Sequence, residues 1–225
     1  MISEWLHQRG RDALLVFCAG WGMDARPFRA LGSSNYDVLI CFNYSAQPGQ
    51  RPDIVTLSQR YHKVILLAWS MGVAYAQQNF VDETEYFAET IALNGTLRPI
   101  DDDFGIPEAI FQVTLDQLNE EILEKFYRRM FRSTADYERF LPSRPQRSLA
   151  DQRHELALML QERISFAESA SIYNRVVIAD KDLIVPSKNQ LRFWQNQRIR
   201  TLAGGHFPFY AWRSWDDLID HIVQS

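Results

Sequence analysis

Ser70, Asp182 and His206 are residues of the types that together carry out acyl transfer. A serine hydroxyl is a weak nucleophile near neutral pH and needs a base within hydrogen-bond reach. Histidine titrates close to the working pH, so it can take that proton and return it. An aspartate behind the imidazole fixes its tautomer and stabilises the imidazolium. Each residue has a distinctive setting. Ser70 lies in Ala68-Trp69-Ser70-Met71-Gly72, directly after the apolar run Val64-Ile65-Leu66-Leu67. This pattern predicts a strand that ends in a tight turn, with a helix behind it and the hydroxyl lifted clear of the sheet. Asp180 and Asp182 follow the run Val176–Ala179, and Pro186 then opens a helix. Asp182 is preferred to Asp180 because it is further into the loop and better placed to reach a partner. His206 stands in Ala203-Gly204-Gly205-His206-Phe207-Pro208-Phe209. Paired glycines allow a loop that projects the imidazole, and the aromatic neighbours would shield it from water. His7, His62, His154 and His221 have no such setting and read as structural or exposed.

A tetrahedral intermediate carries an oxyanion, so two backbone N–H groups should point at it. Ala19-Gly20-Trp21-Gly22 follows the first apolar run, which makes Trp21 N–H and Met71 N–H the candidate donors. The chain order Ser70, Asp182, His206 is that of α/β-hydrolase triads. This chemistry requires no metal and no cofactor.

The elements that must position these residues alternate along the chain. Apolar runs suited to buried parallel strands are Leu14–Cys18, Val38–Phe42, Val64–Ala68, Thr90–Leu93, Val176–Ala179 and, more weakly, Ile199–Leu202. Helical patterns fall near 24–32, 53–61, 71–80, 187–196 and 214–224. The alternation predicts an α/β fold: a mostly parallel sheet with helices on both faces. Only about 13 residues precede the first parallel strand, too few for an antiparallel pair at the sheet edge, so about six strands are expected. The alternation stops between residues 97 and 170. There Phe111, Leu115, Leu118, Ile122, Phe126 and Met130 recur at helical spacing, Leu141-Pro142-Ser143-Arg144-Pro145 interrupts, and Leu149 to Phe166 reads as helix again. The expected organisation is a hydrolase core over 1–96 and 171–225, with a helical cap inserted over 97–170, above the face where α/β enzymes bind ligands.

Composition limits the partners. The 225 residues suit one α/β domain with an inserted subdomain, and 46% hydrophobic content supports a full core. A net charge of −4 argues against nucleic acid as a partner. Cys18 and Cys41 both fall in predicted strands, as expected of buried thiols in a reducing compartment. The N-terminus lacks a basic start followed by an apolar stretch, and the uncharged run Ala13–Met23 is too short to span a bilayer. The expectation is a cytoplasmic monomer that does not contact membrane.

The phrases Phe17-Cys18-Ala19-Gly20-Trp21-Gly22-Met23, Ala68-Trp69-Ser70-Met71-Gly72 and Gly204-Gly205-His206-Phe207-Pro208 resemble the BioG family, the pimeloyl-acyl carrier protein methyl ester carboxylesterases of biotin synthesis. The resemblance covers essentially the whole chain, and the BioH esterases are similar more distantly. It implies an α/β-hydrolase fold and hydrolysis of the methyl ester that disguises a pimeloyl chain during elongation. It also implies Ser70 as nucleophile, Asp182 as acid, His206 as base, and Trp21 and Met71 as oxyanion donors. Ala68 and Ala19 stand where many hydrolases have glycine and histidine; both are small enough for the backbone geometry.

Independently of the resemblance, residues 128–153 carry a net charge of +4 in this acidic chain, with Arg128, Arg129 and Arg132 at their start. That cluster suggests an acidic partner such as acyl carrier protein or its phosphopantetheine phosphate. A general short-chain esterase or thioesterase would use the same triad. A non-catalytic binding protein of this fold would need a broken triad, which the sequence does not show.

Overall fold

In a parallel sheet covered on both faces, strands have no polar side to alternate with. Leu14 to Cys18 and Ile65 to Ala68 are accordingly fully buried. The computed structural model describes residues 1–45, 51–162 and 170–223. Its strands are β1 (Ile2–His7), β2 (Ala13–Cys18), β3 (Tyr36–Phe42), β4 (Lys63–Trp69), β5 (Glu89–Leu93), β6 (Arg175–Ala179) and β7 (Ile199–Leu202). They form one seven-stranded sheet in the order β1-β3-β2-β4-β5-β6-β7. Every pairing is parallel except β1 with β3.

The six parallel strands are those expected, and β1 raises the count to seven. There was no room for a pair of edge strands, but a single one fits. It mixes Ser3, Glu4 and His7 with apolar residues, lies half-buried at the edge, and bulges between Trp5 and His7. Such a pattern has neither the continuous apolar run of a buried strand nor clean alternation.

The chain moves from β2 to β3 on one side, then crosses back over β2 to β4. Reversals of this kind leave a crevice at the carboxyl ends of the strands. Cys18 lies in register with both Cys41 and Ala68, so the loop after β2 and the turn after β4 emerge side by side. The thiols of Cys18 and Cys41 are free and buried.

Helices α1 (Ile54–Ser58), α2 (Gly72–Phe80), α7 (Ser187–Phe193) and α8 (Trp215–Val223) connect or flank the strands. The helix expected near 24–32 is one 3-10 turn, Arg26–Phe28. The chain is held on either side of it, by Asp24 Oδ1 accepting from Arg26 N–H and by Gly32 O accepting from Trp215 N–H, each at 2.9 Å.

Between β5 and β6 lie α3 (Glu108–Gln117), α4 (Glu120–Met130), α5 (Thr134–Phe140) and α6 (Leu149–Glu162). The apolar stripe from Phe111 to Met130 is two helices rather than one. Asn119 breaks it in extended conformation and caps α4, its side chain accepting from Ile122 N–H at 2.9 Å. The last four residues of the stretch read as helix to Phe166 lie outside the described residues. No helix among the described residues is long and apolar enough to cross a membrane.

Candidate active site

Ser70 follows β4 with φ of 60°, a conformation most non-glycine residues avoid. Such a residue costs on the order of 1–3 kcal/mol and persists only where its surroundings over-determine it. Close backbone approaches do so here. A Cβ on Gly72 would lie 2.4 Å from Cys18 O, and one on Gly95 would lie 2.2 Å from Ser70 O. Gly20 brings the loop after β2 directly against the nucleophile candidate, since its Cβ would sit 2.9 Å from Ser70 Cβ. Among the described residues, no backbone acceptor is bonded to Trp21 N–H or Met71 N–H. Met71 also stands at the positive end of α2, where negative charge is favoured.

The loops after β6 and β7 bring Asp182 and His206 to the same crevice. His206 Nδ1 lies 2.7 Å from Asp182 Oδ2, and His206 Nε2 lies 2.8 Å from Ser70 Oγ. A carboxylate only accepts, so Nδ1 carries the proton and Nε2 is left to accept from the serine hydroxyl. All three residues are buried. Asp182 Oδ1 accepts from Ile184 N–H at 2.8 Å and Val185 N–H at 3.0 Å, and Oδ2 also accepts from Gln190 Nε2 at 2.9 Å. Asp180 instead braces its loop by accepting from Gly204 N–H at 2.8 Å.

The backbone of His206 is held equally firmly. Its carbonyl accepts from Trp69 Nε1 at 2.8 Å and from Asn94 Nδ2 at 2.9 Å. Trp69 also packs on the imidazole, with ring centroids 5.1 Å apart. Phe207 and Phe209 complete an aromatic layer with Phe28 and Trp69, and His206 is fully buried beside it.

A cavity of about 640 Å³ opens beside this arrangement. Its wall joins Trp21 and Met71 to Ile106, Phe111, Phe126 and Leu156 from the segment between β5 and β6. Arg128 and Arg129 also line it. Arg128 donates to Thr134 Oγ1 at 2.9 Å and lies over the Tyr137 ring. Arg129 donates to Leu183 O at 2.7 Å, in the loop that carries Asp182. Arg132 packs its aliphatic stem near Gly205. The local excess of positive charge is smaller than the segment count suggested. Arg147 is buried against Glu155, which lies just past residue 153, and including it lowers the segment's net charge to +3.

Residues 1–218 match the family described as pimeloyl-ACP methyl esterase BioG. The chain belongs to the BioG family. The crystal structure of selenomethionine BioG from Haemophilus influenzae superposes on it with a TM-score of 0.84 at 27% identity, covering 96% of this chain and 98% of that one. An uncharacterized protein of H. influenzae is 33% identical over 228 residues, 98% of this chain and 100% of its own length. A malonyl-[acyl-carrier protein] O-methyltransferase of Bacteroides fragilis is 38% identical over 199 residues. The match takes in 88% of this chain, which spans 40% of that protein's length. At 14% identity, a 2-hydroxy-6-oxo-6-phenylhexa-2,4-dienoate hydrolase of Rhodococcus shares the fold alone, with a TM-score of 0.64 over 96% of this chain and 91% of that one. The fold is that of the α/β-hydrolases.

Sequence reasoning missed three residues that hold this BioG-family site together. Asn94 follows β5 with φ of 49°, donates to His206 O, and accepts from Ala179 N–H at 2.7 Å. Gln190 reaches Asp182 from α7. The C-terminal turn of α4 touches the His206 loop, where Met130 O accepts from Phe207 N–H at 3.1 Å. A Cβ on Gly205 would lie 2.7 Å from that same carbonyl, so the glycine before His206 is required by a helix distant in sequence. An asparagine directly after an apolar strand was the only readable signal among them.

Proposed function

We propose that this chain hydrolyses the methyl ester of a pimeloyl chain borne on acyl carrier protein, through an acyl-enzyme on Ser70, and so supplies a biotin precursor. The observation that carries this reading is the pair of hydrogen bonds at His206, 2.8 Å to Ser70 and 2.7 Å to Asp182. Ser70 Oγ attacks the ester carbonyl as His206 Nε2 takes its proton. The carbonyl electron pair moves to oxygen, which Trp21 N–H and Met71 N–H stabilise. The intermediate collapses, and His206 protonates the departing methoxide to methanol. Water then attacks the acyl-enzyme and gives one proton to His206, which returns it to Ser70 as the carboxylic acid leaves and ionises to the carboxylate by losing its other proton to solvent.

Residues 97–170 act as a cap over a core of 1–96 and 171–225, and the apolar cavity receives the acyl chain. Arg128, Arg129 and Arg132 meet the acidic carrier or its phosphopantetheine phosphate. The methyltransferase relative supports a carrier-bound ester, because methylating a carrier-bound carboxylate makes the bond an esterase of this kind would break. The site of action is the cytoplasm.

The reading is tested by measuring kcat/KM for pimeloyl-carrier methyl ester and for p-nitrophenyl butyrate, each at low and high salt. The carrier-bound ester should be preferred at least about 100-fold, and its KM alone should rise with salt as the arginines are screened. Equal efficiency with no salt dependence would instead indicate a general short-chain esterase or thioesterase.

A further inference from the structure

The loop that bears Trp21 is fastened at four positions by groups outside it. Tyr44 OH donates to Ala19 O at 2.8 Å, and Trp21 Nε1 donates to Gln152 O at 2.8 Å. Gly22 N–H donates to Glu155 Oε2 at 3.2 Å, and Arg147 Nη1 donates to Met23 O at 3.3 Å. Glu155 and Gln152 lie on α6, with Arg147 just before it.

Glu155 is at the centre of this set. It is buried, its Oε1 accepts from Tyr44 N–H at 2.9 Å, and its Oε2 pairs with Arg147 Nη1 at 2.7 Å. Arg147 also bonds Asp151 through Nε at 2.7 Å, while its Nη2 is buried with no partner among the described residues. Burial works against the guanidinium charge, but Glu155 and Asp151 outweigh it and hold the pKa above the ordinary arginine value. A buried pair with an unsatisfied nitrogen is a poor source of stability, because apolar residues of similar volume do as well or better.

What the pair supplies is direction. Gly22 has φ of 72°, and a Cβ there would lie 2.7 Å from Gln152 Oε1. Its N–H points at Glu155, and the adjoining peptide carries the Trp21 N–H. Oxyanion donors are effective only when aimed before the charge develops. We propose that Glu155, held by Arg147, is the positioning residue of the oxyanion loop, locking the Trp21–Gly22 peptide so that Trp21 N–H faces the reaction at Ser70. The next residue, Leu156, lines the cavity, so the helix that contacts the acyl chain also holds the loop. This inference rests on Ser70 being the nucleophile.

The test uses the whole chain, with p-nitrophenyl butyrate as substrate and a fluorophosphonate as a label for Ser70. Replacing both partners, Arg147→Met with Glu155→Leu, removes the two buried charges together; Asp151, which also loses Arg147, is partly exposed and keeps its hydrogen bond from Asn43 Nδ2 at 3.2 Å. Because leucine at position 155 leaves the buried Gly22 and Tyr44 N–H groups without their acceptor, the double variant should melt about 5–10 °C below the wild type while staying folded at the assay temperature. Its kcat and its labelling rate should nonetheless fall about 10- to 100-fold, with KM within about threefold. Glu155→Gln keeps the shape and leaves Arg147 paired with Asp151, and should lower kcat about tenfold at unchanged KM. A double variant that regains melting temperature and kcat together, or a Glu155→Gln variant with full kcat, overturns the inference. Wild-type protein left unlabelled at Ser70 overturns the nucleophile reading and this inference with it; equal labelling of wild type and double variant overturns this inference alone.

Discussion

The two walls of the site are built on different terms. The sheet side is fixed by hydrogen bonds that leave its side chains one position each. Asp182 accepts from two backbone N–H groups, from Gln190 and from His206. The His206 carbonyl is held by Trp69 and Asn94. The helical side, α3 and α4, faces the cavity mostly with apolar side chains, which no hydrogen bond orients, alongside Thr114, Lys125, Arg128 and Arg129. Ile110 and Val113 on α3 are respectively 43% and 49% exposed. Helix α6 belongs to both walls, since it lines the cavity through Leu156 and grips the loop after β2 through Glu155. The difference shows where precision is needed: reacting atoms must be placed within a fraction of an ångström, whereas an acyl chain needs only an apolar surface of the right extent.

Substitutions on the two walls should therefore differ in kind. On the sheet wall, Asp182→Asn keeps the shape but puts an amide opposite His206 Nδ1, which favours the wrong tautomer. The expected loss is about 10⁴-fold in kcat, with KM changed little, by steady-state kinetics on p-nitrophenyl butyrate. On the helical wall, Ile110→Ala removes apolar contact with the chain. It should raise KM for the carrier-bound ester about tenfold or less, with kcat and melting temperature near wild type. If Ile110→Ala lowered kcat as steeply as Asp182→Asn, the division between the walls would fail.

The same division explains what the sequence revealed. Ser70, Asp182 and the Gly20-Trp21-Gly22 loop were legible because each follows a buried parallel strand. Such strands read as apolar runs, and close backbone approaches force small residues or glycine beside them. His206 instead follows the half-exposed edge strand β7 and was legible from its Gly-Gly-His loop. Gln190, Asn94 and Glu155 left little local trace. Each is set by a partner 8, 112 or 133 residues away, and a polar residue on a helix or at a strand end has many ordinary uses. The break at Asn119 went unread because the apolar period continues through it from Leu118 to Ile122, although an asparagine followed by Glu120 and Glu121 is a recognisable helix start. Strand β1 was illegible for a different reason, since an edge strand buries too little to impose a pattern.

Everything proposed for this site depends on Ser70 being the nucleophile that opens the methyl ester. The direct test is methanol release from pimeloyl-carrier methyl ester by wild type and by Ser70→Ala. The variant should fold and bind the carrier-bound ester, yet release methanol at least about 10⁴-fold more slowly. A Ser70→Ala protein that releases methanol at the wild-type rate would contradict it.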